Sequence, residues 1–235
     1  MAPVARGLAD LYRVLEPFQR ASGDEPLTVA KHVADLHEVI QLHGGESPPA
    51  LLGSSWGAML ALAYAATHPD SAGPLILVGC GTFDLVARAR MQETIRLRWN
   101  DQIPEDERFV RLYSYDPFPG PSEEEKLDPR AQEETWNDML RLQAEGVYPA
   151  AFRAIRVPVL MLHGAFDPHP GKLIHAGLQP FLPHIEYHEW EHCGHYPWLE
   201  KATADKFFSF VREWLGRHTA RTYQLLDESG GPRVS

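Results

Sequence analysis

Short apolar runs punctuate the chain, and helical periodicity fills most of the space between them. The runs are Ala50-Leu51-Leu52, Leu75-Ile76-Leu77-Val78-Gly79 and Val157-Pro158-Val159-Leu160-Met161-Leu162. Their length and near-continuous apolarity predict buried strands. His184-Ile185-Glu186-Tyr187-His188-Glu189-Trp190 alternates, as a further strand does. Val29, Val33, Leu36 and Ile40 fall at helical spacing in Leu27–Gln41, with Thr28 as a cap. Ala58–Ala66 is an apolar helix-like run, and Phe207, Phe208, Val211, Trp214 and Leu215 line one face of Ala202–Leu215. Strands alternating with helices predict an α/β fold, with a mostly parallel sheet and helices on both faces.

Residues 82–150 break this alternation. They hold helical patterns at Leu85–Leu97 and Ala131–Gln143, joined by a Pro- and Glu-rich loop from Pro104 to Asp128. The expected organisation is a core of residues 1–81 and 151–216, a helical cap inserted at 82–150, and a loose polar tail at 217–235. Trp99, Tyr113, Tyr115, Phe118, Trp136 and Tyr148 concentrate in the insertion. Most of them are expected to pack the cap onto the core, and a lid of this kind shields a site from water.

A chain of 235 residues is long enough for one substantial core. Net charge of −10 argues against nucleic acid and anionic membranes as partners. No run reaches the length of a membrane span, and Met1–Asp10 lacks the apolar centre of a signal peptide. Two cysteines, Cys80 and Cys193, are too few for a disulfide framework and predict reduced thiols in a cytoplasmic protein.

The candidate chemistry centres on Gly53-Ser54-Ser55-Trp56-Gly57. This is Gly-x-Ser-x-Gly between a strand and a helix, the setting that lifts a serine clear of a sheet on a tight turn. Asp167 follows the strand that ends at His163-Gly164, and His195 lies in the loop after His184–Trp190. All three candidates therefore sit just beyond predicted strands, in the order Ser55, Asp167, His195, where a doubly wound sheet places functional groups. In this reading His195 is the base, Asp167 orients it, and the backbone N–H of Trp56 is an oxyanion donor.

With these residues in hand, the chain resembles the α/β-hydrolase superfamily. It is most similar to the small capped hydrolases related to prolyl iminopeptidases and carbon–carbon-bond hydrolases. The resemblance rests on Gly53–Gly57, on Pro158–Asp167 and on Gly194-His195-x-Pro197-x-x-Glu200, with a fainter match at Arg13–Arg20 to the family's fourth strand. Met1–Asp10 resembles the first long helix of the family. The family's strands one to three and its oxyanion loop have no counterpart, so the resemblance implies an N-terminally truncated fold begun at an internal methionine. A shortened protein, with strand four beside strand five, is the other expectation. The second oxyanion donor belongs to that loop, and its loss costs ~10²–10³ in turnover. His43-Gly44-Gly45 mimics the loop but reads as a helix-ending turn. Relative to the family, Ser54 replaces a common histidine or glutamine and Ala58 a frequent glycine.

Alternatives stay open at each position. Ser55 fits a structural turn, Asp167 a helix cap, and Asp84 is a rival acid. His163, His169 and His192 compete with His195 among twelve histidines. No compact ligand spacing predicts a metal, and no cofactor is expected. The expected function is a serine hydrolase cleaving an ester, lactone, amide or aminoacyl bond of a small, partly apolar molecule. The alternative is a non-hydrolytic or inactive protein of the same fold. Glu107 and Asp116 in the insertion are candidates for holding a substrate amine, although charges on a cap are usually just solvated.

Overall fold

The computed structural model describes residues 1–119 and 128–228. Four strands form one parallel sheet in sequential order: β1 (Leu51–Ser54), β2 (Leu75–Val78), β3 (Val159–Gly164) and β4 (Ile185–Trp190). Alternation sorts their side chains between two cores. Leu75, Leu77, Val159 and Met161 face α2 (Val29–His43), α3 (Trp56–Thr67) and α7 (Gly171–Leu178). Ile76, Val78, Leu160 and Leu162 face α1 (Ala2–Leu8) and α8 (Ala204–Glu228), where Phe207, Val211 and Trp214 are buried. A sheet covered on both faces explains why β2 and β3 read as unbroken apolar runs. Among the described residues no helix is long and apolar enough to cross a membrane.

Several local expectations are met. Thr28 caps α2 by accepting from Lys31 N at 3.2 Å. Gly44 ends the helix, its N–H bonding Ile40 O at 2.7 Å, so His43-Gly44-Gly45 is a turn. Both cysteines are free and buried. Burial pushes each thiol up to about 12, which makes both poor nucleophiles.

The structure differs from the sequence reading in three places. Arg13–Arg20 is not a strand but exposed coil, with Phe18 fully exposed. Pro17 withholds a donor from any ladder, and local ion pairs hold the segment instead: Glu16 with the Met1 amine, Arg20 with Asp35. No strand flanks β1 opposite β2 among the described residues, so β1 is an edge. Secondly, the loop expected from Pro104 to Asp128 contains α5 (Glu105–Tyr113), which buries Leu112, while residues 120–127 lie outside the described residues. It joins α4 (Leu85–Arg98) and α6 (Pro129–Ala144) between β2 and β3. Thirdly, the tail expected to be loose from residue 217 continues α8 to Glu228. No Gly or Pro interrupts it before Gly230, so propensity carries the helix on. Residues 229–235 lie outside the described residues.

Candidate active site

Ser55 occupies the turn between β1 and α3 with φ 54° and ψ −117°, the only described non-glycine residue at positive φ. The turn is tight because Gly53 lies against the start of α3: a Cβ there would come within 2.1 Å of Gly57 O. Ser55 N donates to Val78 O at 2.8 Å, which fixes the elbow to the end of β2. Such strain in a bulky-enough residue persists only when the surroundings enforce it, and it clusters at working sites. Trp56 is the first residue of α3, so its N–H has no helical acceptor. Ser54 Oγ and Trp56 Nε1 are buried and make no hydrogen bond within the protein.

Beyond β3, Asp167 and His195 meet. His195 Nδ1 donates to Asp167 Oδ2 at 2.6 Å, with both side chains buried. That bond fixes the tautomer and leaves Nε2 free to take a proton. Burial alone would raise the Asp167 carboxyl, but the two histidines His195 and His169 outweigh it and hold it well below the usual range. Asp167 caps no helix: its Oδ1 accepts from His169 N and His169 Nδ1, each at 2.9 Å. Asp84, the rival acid, is spent as the cap of α4, accepting from Ala87 N at 2.8 Å. No hydrogen bond joins Ser55 to His195 in this structure, as is common before substrate binds. Both residues border the end of β2. Gly79, next to the Ser55 anchor Val78, lies against the histidine, and a Cβ on it would come within 2.7 Å of His195 Nδ1.

The other competing histidines separate by environment. His192 stacks on Tyr115. His163 is buried under α7, with Nδ1 3.8 Å from Asp167 Oδ2 and no hydrogen bond within the protein. Burial pushes it down to about 4. Acid is therefore expected to destabilise the fold through His163. The unfolded chain binds that proton below about pH 6.5, whereas the folded chain resists it until about pH 4. Stability falls as pH drops across this window, by about 2 kcal/mol between pH 7 and pH 5. Urea unfolding at both pH values should show that extra loss in the wild type and not in His163→Leu. Equal losses would remove His163 as the cause.

Three supports went unseen in the sequence. Glu200 is buried and accepts from Gly194 N at 2.9 Å, Tyr115 N at 2.7 Å and Asp116 N at 2.7 Å. It straps the His195 loop to the chain after α5, and His195 N donates to Tyr113 O at 2.7 Å beside it. Glu200→Ala would strand three backbone donors, so a loss of roughly 3 kcal/mol or more is expected in denaturant unfolding, with Glu200→Gln milder. A loss under about 1 kcal/mol would show that the strap is dispensable. Arg98, at the end of α4, donates to Phe166 O at 2.6 Å and covers the Phe166 ring at 3.8 Å. Tyr113 presents its ring edge-on to His195 at 5.4 Å. The Gly194-His195-x-Pro197-x-x-Glu200 pattern contained the Glu200 signal, and Tyr113 stood among the aromatic residues of the insertion; nothing local marked Arg98.

Asp167, His169 and His195 offer donor atoms within 4.8 Å of one another, a spacing that suits a cation. Each histidine nitrogen nearest the carboxylate is already engaged with it, so a cation would have to replace those bonds. Glu107 pairs with Arg111 and Asp116 with Lys201, all on the exposed surface.

Residues 1–208 match the sequence profile of the alpha/beta hydrolase family. The chain belongs to that family. Among solved structures it is similar to a meta-cleavage product hydrolase, at 16% identity and TM-score 0.62 over 92% of this chain and 84% of that one. It is also similar to a thermophilic esterase from Thermogutta terrifontis, at 22% identity and TM-score 0.58 over 92% and 85% of the two chains. An esterase from Exiguobacterium antarcticum aligns at 18% identity and TM-score 0.54 over 80% and 74%. No curated protein matches the chain. Likeness at these identities concerns the fold. The α/β architecture with parallel strands is that of α/β-hydrolases.

Proposed function

We propose that this α/β-hydrolase is a serine hydrolase acting on a small, partly apolar ester, lactone, amide or aminoacyl compound. The observation that carries the reading is the buried Asp167–His195 pair, with Nε2 free, beside a strained serine elbow. His195 Nε2 accepts the Ser55 hydroxyl proton as Oγ attacks the carbonyl carbon. The carbonyl oxygen gains the electron pair and takes a hydrogen bond from Trp56 N–H. Asp167 stabilises the imidazolium, which then protonates the leaving group as the acyl-serine forms. Water, deprotonated by His195, releases the acid and restores Ser55.

The helices between β2 and β3 act as a cap in this reading. Tyr113 packs edge-on against the histidine, and Phe109 stacks on Tyr113 at 4.6 Å, which places aromatic surface beside the base. The neighbours described as esterases fit the same chemistry.

A fluorophosphonate probe tests the proposal directly. A single adduct on Ser55 is expected by peptide mapping, absent in Ser55→Ala and slowed in His195→Ala. A folded protein that takes no adduct would sink the proposal in favour of a non-hydrolytic role.

A further inference from the structure

His169 was, by sequence, only a competitor for His195, yet it bonds the other oxygen of the same carboxylate, Oδ1, beside His195's bond to Oδ2. The local sequence is Asp167-Pro168-His169-Pro170. Pro168 carries no N–H, so the first backbone donor after the aspartate is that of His169. It closes a two-residue turn onto Asp167 Oδ1 at 2.9 Å. The same oxygen accepts a second bond from His169 Nδ1 at 2.9 Å. Prolines on both sides restrict the backbone that aims the ring.

A carboxylate torsion is broad and nearly two-fold when free. Two donors on Oδ1 remove that freedom and leave Oδ2 facing His195 Nδ1 at 2.6 Å. The His169 ring also lies over the His195 ring, with centroids 4.7 Å apart and planes 24° apart. Tyr113 and Tyr196 meet the same imidazole edge-on at 5.4 and 4.6 Å. The base is thus held on a face by His169 and at its edges by the tyrosines.

We propose that His169 is a positioning residue for catalysis: its Nδ1–H fixes the Asp167 carboxylate so that His195 is kept in its base tautomer. The proposal rests on the serine-hydrolase reading. It goes beyond it by assigning a function to a group that touches neither substrate nor nucleophile.

Three substitutions separate the contributions. His169→Asn places an amide donor where Nδ1 stands. His169→Phe keeps a stacked ring without a donor, and His169→Ala keeps only the backbone bond. On a short-chain ester, kcat should fall tenfold or more in His169→Ala and His169→Phe, with KM changed by less than twofold. His169→Asn should recover most of the loss. Wild-type kcat in His169→Ala, a loss confined to KM, or recovery in His169→Phe but not His169→Asn would overturn the proposal. Low-field proton NMR gives a readout independent of turnover. The Nδ1–H proton of His195 in its short bond should resonate far downfield in the wild type and His169→Asn, and exchange-broaden in the other two. Its persistence in all variants, or its absence from the wild type, would overturn the proposal. A wild type with the resonance but without any ester turnover would instead count against the hydrolase reading.

Discussion

Exchanging Ser55 for alanine is expected to lower kcat on a short-chain ester by roughly 10⁵-fold or more. The elbow's other hydroxyl, Ser54 Oγ, is buried, and alanine is expected to keep the turn at Ser55, so the loss is one of nucleophile rather than of shape. His195→Ala should cost about as much, and the double variant no more, because the two groups act on one proton. Asp167→Asn should cost roughly 10⁴-fold, since an amide donor opposite Nδ1 favours the wrong tautomer. Steady-state kinetics on the four variants, with circular dichroism to check folding, would test the set. Additive losses, or a Ser55→Ala variant within tenfold of wild type, would be incompatible with a triad.

Gly79→Ala is expected to damage both stability and turnover, although Gly79 bears no functional group. Its φ of +55° suits glycine, and a side chain there costs roughly 1–2 kcal/mol. The added Cβ would lie 2.7 Å from His195 Cε1 and Nδ1 and 3.2 Å from Asp167 Oδ2. The buried imidazole and carboxylate cannot yield easily, because His169 and the tyrosines brace the imidazole. The strand end or the histidine must shift, and a displacement near 1 Å at a reacting group costs on the order of 10²-fold. Fluorophosphonate labelling should slow by that factor while the protein still folds. Unchanged labelling would mean that the corner is looser than the structure indicates.

The supports around Asp167 explain why so many polar groups are tolerated in a buried corner. The carboxylate spends Oδ1 on His169 and Oδ2 on His195, and Glu200 satisfies three backbone donors of the adjoining loop. Buried groups arranged this way hold one another in place; breaking one strands its partners. His163, whose two ring nitrogens make no hydrogen bond within the protein, lacks such partners, and its cost grows in acid.

Local chemistry was enough to determine much of this. Continuous apolar runs at Leu75–Val78 and Val159–Leu162 are strand-sized and too short for helices, which marked them as strands buried on both faces. The glycines of Gly53–Gly57 flank a serine between strand and helix, a pattern confined to a few residues. Family membership and fold were legible for that reason. Tertiary structure decided what depends on partners distant in sequence. Asp84 and Asp167 look alike as residues beyond strands, but one faces its own helix N–H and the other two imidazoles. Arg13–Arg20 has strand-like residues, yet it packs as coil because extended pairing requires a neighbour and not only a propensity. Which histidine meets the acid, and which merely lies beside it, was set by chain segments packed from β2, β3, β4 and α5. Their side-chain directions follow from the assembled sheet, and no local pattern encodes them.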